Sequence, residues 1–314
     1  MSKTRIGAAS ALVAAAALTL TACGSGDPSV TGKDAGPAAA TAGIPTTDVV
    51  SAVRENRAAA ALLPADVRKQ GTLTMATAVG GTPPGTTYLP DGRTVVGQDI
   101  DFAGAVAKTL GLKVRREAAS FETILPALDS GKYDLGVGNF GVTDERRKVI
   151  DFVTYINDGQ GFAVRKDSKL GKVTDLTQLC GLNVATGAGT TFEATLEKER
   201  KRCGAAGKKD YKVQTYADPA AIWISLQQGR SDVVMSTING LRFAVNQQQG
   251  LKFLNEFHRL DVGFAFRKGT ALAPAFRAAV NQLIKNGTYA RILKKWGTVP
   301  SGIKESRISP PELT

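Results

Sequence analysis

From about Gly71 to Gly297, short β-like runs alternate with helical runs, an order that few folds accept. Leu73–Ala78, Lys113–Ala118, Asp134–Asn139, Leu182–Ala185, Lys212–Tyr216 and Val233–Ser236 read as strands. Asp101–Leu110, Phe121–Asp129, Thr191–Arg202, Pro219–Gln228 and Ala273–Lys285 read as helices. Alternation of this kind predicts an α/β protein with mixed, mostly parallel sheets and helices on both faces. An internal echo adds to this. Ile124, Leu128, Gly131, Lys132 and Asp134 share their spacing with Ile222, Leu226, Gly229, Arg230 and Asp232. Each set describes a helix with one apolar stripe, a Gly stop, a cation and a strand. One unit used twice predicts two similar α/β lobes, and the roughly 230 residues of this body suffice for two.

The N-terminus has a task separate from the fold. Lys3 and Arg5 precede an uncharged apolar run from Ile6 to Leu20, too short to span a membrane but suited to a secretory signal. Leu20, Thr21, Ala22 and Cys23, followed by Gly24, resemble the bacterial lipobox, in which the Cys is acylated and becomes the mature N-terminus. Residues 1–22 are therefore expected to be a lipoprotein signal peptide. From Gly24 to about Thr47 the chain is Ala, Gly, Thr, Pro and Ser with almost no large apolar side chains, the composition of a flexible tether. Residues 23–62 then form tether and lead-in, with an amphipathic stretch beginning at Val49.

The formal charge is +12. Loss of residues 1–22 removes Lys3 and Arg5 and no acid, leaving 38 cations against 28 anions spread along the chain. A basic balance can mark nucleic-acid binding, but an exported protein meets none in ordinary work, so solvated helix faces are the better reading. Cys180 and Cys203 are the two cysteines left beyond Cys23. Outside the membrane such a pair reads as a disulfide, worth roughly 3 kcal/mol, with two free buried thiols as the alternative. With one histidine, His258, and no further thiol, neither a thiolate metal site nor a Cys–His catalytic pair has its residues. No metal or cofactor is expected.

Several ordered motifs then carry a family resemblance. The opening LLPADVRKQGTLTMAT, the segment DGRTVVGQDIDFAGAVAKTLGL, the long stretch FETILPALDSGKYDLGVGNFGVTDERRKVIDFVTY and the closing GTYARILKKWG are similar to the extracytoplasmic solute-binding proteins of family 3, which serve polar amino-acid ABC importers. The resemblance implies a two-lobed periplasmic-binding-protein-like fold of type II with a hinge between the lobes. Residues 63–160 plus 258–300 would form lobe one, 161–257 lobe two, and 301–314 a C-terminal tail. The crossings are expected near Gly159–Phe162 and Asn255–Asp261, and the ligand in the cleft between lobes that close by hinge bending.

The resemblance also names candidate ligand contacts. Read from its neighbours alone, Arg146 is an exposed cation in a charged run with Arg147 and Lys148. In the family, an Arg in this Thr-x-x-Arg turn binds the ligand α-carboxylate, a task suited to a planar guanidinium fork. Thr190 and Thr191 open a helix whose N-terminus would serve the same carboxylate from lobe two. Phe121 falls where a wall against the ligand side chain is expected, and Asn139 and Gly141 lie on the strand end facing the amino group. Trp223 reads as lobe-two core, and Asp99 and Asp101 as structural.

Three positions depart from the family pattern. Thr237 stands where an Asp usually pairs with the α-ammonium, Thr82 where an aromatic is usual, and Gly141 where a hydroxyl is usual. A desolvated ammonium without an anion is costly. Either Asp158 or another carboxylate takes that role, or the ligand is not an ordinary α-amino acid. The function implied is a lipid-anchored monomer on the outer face of the cell membrane. It would bind an amino acid or related small carboxylate for an ABC permease and ATPase. The alternative is a cyclohexadienyl dehydratase-like enzyme on the same scaffold, but no acid–base pair for it is recognisable.

Overall fold

The structure is a computed structural model that describes residues 43–313. The expected signal, Cys23 and the tether up to residue 42 lie outside the described residues. The strands are β1 (Thr72–Thr77), β2 (Thr87–Tyr88), β3 (Val95–Val96), β4 (Lys113–Ala118), β5 (Leu135–Gly141), β6 (Ile150–Arg165), β7 (Asn183–Gly187), β8 (Lys212–Tyr216), β9 (Val233–Thr237) and β10 (Leu251–Arg267). The helices of the first half are α1 (Arg57–Ala60), α2 (Ala65–Gln70), α3 (Gln98–Thr109), α4 (Phe121–Asp129) and α5 (Asp144–Arg147). Those of the second are α6 (Thr191–Glu199), α7 (Arg202–Ala205), α8 (Pro219–Gln227), α9 (Ile238–Gln247), α10 (Ala273–Lys285) and α11 (Thr288–Trp296).

Eight strands form one sheet in the order β4-β1-β5-β10-β6-β9-β7-β8. β1 is parallel to β4 and β5, and β7 is parallel to β8 and β9. These two parallel halves are the lobes, and β6 and β10, antiparallel to each other, run through both. Their lengths, 16 and 17 residues, far exceed those of the other strands in the sheet. The register of β10 slips between Phe253 and Asn255, between Glu256 and His258, and again after Val262. Opposite the middle of that stretch, Gly159 has φ 154°, and a Cβ there would sit 2.2 Å from the His258 carbonyl oxygen. Only glycine allows the two crossing strands to approach this closely.

Each lobe has its own apolar core. Phe102, Tyr155, Phe264 and Phe276 are buried together in lobe one, with the Tyr155 and Phe264 rings stacked at 4.5 Å. Phe162, Val184, Leu196, Tyr211 and Met235 do the same in lobe two. The helix expected over Thr191–Arg202 stops instead at Glu199, and the separate turn α7 carries Cys203. A disulfide needs Cα atoms within about 7 Å. The chain turns at residues 200–201, and the sulfurs of Cys180 and Cys203 are joined with their Cα atoms 5.7 Å apart.

Both ends of the described chain are held by lobe one. Val53 and Ala59 of the lead-in are buried in its core. The tail lies along the outer edge of β6: Thr154 N–H donates to Arg307 O at 3.0 Å and Ser309 N–H to Phe152 O at 2.9 Å. An unpaired strand edge invites aggregation, and the tail covers it. The tail then reaches α5, where Arg147 Nε donates to Ser309 O (2.9 Å) and Asp144 N–H to Glu312 Oε2 (3.0 Å). Among the described residues, no helix is long and apolar enough to cross a membrane.

Candidate functional site

The C-terminal ends of β5 and β9 and the N-terminal ends of α4, α6 and α8 surround a cleft of about 160 Å³. Arg146, Thr190, Thr191, Phe121, Asn139, Gly141 and Thr237, separated by up to 116 residues, all line it. Loops at the carboxyl ends of strands are where open α/β sheets place ligands.

Arg146 is aimed by a short chain of local choices. The Thr143 hydroxyl caps α5 by accepting from Arg146 N–H at 3.2 Å, and the side chain then extends across the cleft. Nη1 donates to Gly141 O at 3.1 Å in lobe one, and Nη2 to Gly189 O at 3.0 Å in lobe two. Burial pushes its pKa down to about 10, with Glu312 of the tail opposing the shift. The group stays cationic at neutral pH. Its Cζ lies 6.0 Å from the centre of the Phe121 ring, which is itself stacked on Phe140 at 4.7 Å. Phe121 is therefore a wall that also faces the guanidinium.

Lobe two answers with the start of α6. The Thr190 hydroxyl accepts from Glu193 N–H (3.2 Å) and donates to Gly187 O (2.7 Å), so its cap is complete. Gly189, with φ 71°, lets this loop close on lobe one: a Cβ there would lie 2.7 Å from the Cβ of Glu122. Gly141 makes room from the other side: a Cβ on it would crowd Leu260 Cδ1 at 3.0 Å and touch Thr191 Cγ2 at 3.4 Å. Gln160 of β6 ties the same helix to the hinge, donating to Thr191 O (3.2 Å) and Thr195 Oγ1 (2.9 Å).

The acids divide into one that borders the cleft and one that does not. Asp158 is fully buried below it, with Oδ2 accepting from Asn139 Nδ2 (3.0 Å) and Oδ1 from Asn239 N–H (3.2 Å). It is not among the residues that line the cleft. Asn139, in the left-handed region at φ 55°, spends its amide on this bond. Asp99 does border the cleft, with Oδ1 held by Tyr155 OH at 2.7 Å. Burial pushes its carboxyl up to about 7; the bonds from Tyr155 and the Asn139 backbone pull the other way, and Asp158 adds to the rise. Asp99 thus combines the structural bond to β6 that its reading as structural implies with a place on the cleft wall. Asp101 faces away and binds Trp296 Nε1 and Lys295 Nζ, both at 2.7 Å.

Thr237 caps α9 by accepting from Gly240 N–H at 3.1 Å while facing the cleft. Trp223 packs against the lobe-two core, as read, and also reaches the cleft. It is half-buried, lines the cleft, and donates from Nε1 to Thr82 Oγ1 at 2.8 Å across the two lobes. The small Thr82 leaves the space an aromatic would fill in lobe one, and lobe two fills it. Pro219, Ile222 and Trp223, spaced along one face of α8, carried a sequence signal for this wall. The apolar character of the whole helix hid it.

The order of strands, the cleft and its Arg146 turn coincide with one family. Residues 73–299 match the model of the bacterial extracellular solute-binding proteins, family 3. The chain belongs to that family. The arginine-binding protein ArgT of Corynebacterium glutamicum is 29% identical over 257 residues, covering 79% of this chain and 82% of ArgT. The ABC transporter glutamine-binding protein GlnH of Bacillus subtilis is 27% identical, covering 66% and 74%. The solved structure of an ancestral arginine-binding protein bound to arginine is 33% identical, with a TM-score of 0.65, covering 72% of this chain and 98% of that one. These relatives are binding proteins, and their printed ligands differ in side-chain charge.

Proposed function

We propose that this family member is the lipid-anchored substrate-binding component of an ABC importer and captures an amino acid or related small carboxylate between its lobes. The observation that carries the reading is Arg146. Its guanidinium spans the cleft from Gly141 O to Gly189 O and shares the space with the N-terminus of α6. A ligand carboxylate there meets a half-buried cation from lobe one and the N-terminus of α6 from lobe two, so both lobes gain by closing on it. Closure rotates the parallel halves about β6 and β10, with Gly159 at the narrow crossing, and offers the permease a shape that depends on the ligand. We assign lobe one to 63–160 plus 258–300 and lobe two to 161–257, with the lead-in and tail as braces of lobe one. Cys23 carries the lipid, which holds the protein on the outer face of the membrane, where an oxidising medium favours the Cys180–Cys203 bond.

Thermal-shift screening of the full chain against amino acids, simple carboxylates and prephenate tests this. A ligand that binds only the folded state raises the melting temperature by mass action. The expected result is a rise with one or a few amino acids, with Arg146→Ala weakening binding by about 100-fold or more. No shift across the panel, or turnover of prephenate, would overturn the reading.

A further inference from the structure

Resting on that reading, we infer that the ligand is a zwitterion with an uncharged side chain, its carboxylate on Arg146 and its ammonium on Asp99. Among the described residues lining the cleft, Arg146 is the one cation and Asp99 the one carboxylate. A desolvated ammonium needs an anion. Thr237 supplies none, and Asp158 is sealed below the cleft by Asn139 and Asn239. Asp99 is left, held in place through Oδ1 by Tyr155. On the same floor lies Thr86, 4% exposed, whose Oγ1 has no partner among the described residues. It is a neutral hydroxyl beside the Asp99 end of the cleft, because Gly97, at the start of α3, would place a Cβ 2.8 Å from Thr86 Cα.

The rest of the wall sets the side-chain class. Phe121, Phe192, Ile222 and Trp223 are apolar surfaces, and Tyr216, Ser236 and Thr82 are neutral. The acids just outside have other engagements or positions: Glu193 Oε2 accepts from Gly189 N–H at 2.7 Å, and Glu122 backs against Gly189. A cationic side chain would be buried without a counter-ion, and an anionic one would compete with the ligand's own carboxylate for a single guanidinium. The site therefore separates from the arginine-binding relatives by charge rather than by size.

A pH signature follows from the same geometry. In the free protein, burial holds Asp99 largely protonated below about pH 7, whereas pairing with an ammonium requires the carboxylate. Ligand affinity should then rise as pH increases, about tenfold per unit between pH 5 and 6.5, and level off above about pH 7.5. The groups facing Asp99 are Tyr155 and Asp158 of β6 and the Asn139 backbone of β5. Asp101, on the same helix, is occupied by Lys295 and Trp296 of α11. Tyr155 is pushed well above its ordinary range and stays protonated, and Arg146 stays cationic throughout. Asp158, also pushed up by burial, is the competing titrating group.

Isothermal titration of the full chain at pH 5 to 8 with leucine, phenylalanine, glutamine, arginine, glutamate and 3-phenylpropionate tests the inference. The expected result is tight binding of one or more of the first three, with the pH slope lost in Asp99→Asn and affinity reduced. Tyr155→Phe keeps the carboxylate but removes a hydroxyl that stabilises its charge, so the midpoint should move upward; this variant decides the matter if Asp99→Asn does not fold. Three results would overturn the inference and leave the importer reading standing. They are arginine or glutamate bound best, 3-phenylpropionate bound as tightly as phenylalanine, or a slope unchanged in Asp99→Asn. Silence across the panel would remove the importer reading and this inference together.

Discussion

The unit from Ile124 to Leu135 in lobe one recurs from Ile222 to Val233 in lobe two, and the two copies can be compared bond by bond. Both helices end at a glycine in the left-handed region, Gly131 at φ 77° and Gly229 at φ 71°. Both strands are entered through an Asp that grips the neighbouring strand. Asp134 N–H donates to Thr74 O (3.0 Å) and its Oδ2 accepts from Thr74 N–H (2.7 Å). Asp232 N–H donates to Asn183 O (2.8 Å) and its Oδ2 accepts from Asn183 N–H (2.8 Å). Beyond the strands the likeness ends. β5 leads to the turned backbone of Asn139 and the Arg146 turn, whereas β9 leads to the Thr237 cap and a ten-residue helix. The repeated part builds a lobe; the unrepeated loops past the strand ends carry the chemistry.

The largest effect expected to break the symmetry is loss of the disulfide, which among the described residues belongs to lobe two alone. Cys180→Ser with Cys203→Ser should cost about 3 kcal/mol, seen as a lower denaturant midpoint. Amide exchange should quicken across β7 and β8 while β1 and β4 keep their protection. Equal loosening of both lobes would show that they unfold as one unit and that the comparison ends at geometry. Next come the paired grips. Asp134→Ala and Asp232→Ala should each cost about 1 kcal/mol, the usual worth of a hydrogen bond. A cost confined to one of them would mean that the echo is shared shape without shared energetics. The smallest effect concerns the contact that crosses between lobes. Trp223→Phe keeps a ring but loses the donor to Thr82, and stopped-flow release of ligand should quicken about fivefold, equivalent to about 1 kcal/mol. Thr82→Val should do the same, and the double variant should add little more, because both remove one bond.

Most of the elements were legible because their signals are local. Phe121–Asp129 and Ala273–Lys285 carry apolar stripes of helical period, and Lys113–Ala118 and Lys212–Tyr216 stand as short runs between breakers, and all four match the structure residue for residue. The break before Cys203 was not legible, because continuing α6 costs nothing locally and only the distant Cys180 requires the turn. The tail, 301–313, offers no periodicity, since what orders it is the open edge of β6. At the site, Arg146 was named by the family resemblance, and Thr190 and Thr191 by that resemblance together with their place at a helix start. Asp99 and Trp223 were read as structural for want of any local sign of which way they face.

The sequence by itself determined the alternation of strands and helices and the doubled lobe unit, because hydrophobic period, glycine stops and caps act over a few residues; the Arg146 turn was legible only through the family resemblance. Only the tertiary structure decided the rest. It showed which acid borders the cleft and which is sealed beneath it, and which lobe supplies the aromatic wall. It also showed where the tail lies. Those outcomes depend on burial and on contacts between residues as far apart as Thr82 and Trp223, or Asp99 and Tyr155, and no short window of sequence contains both partners.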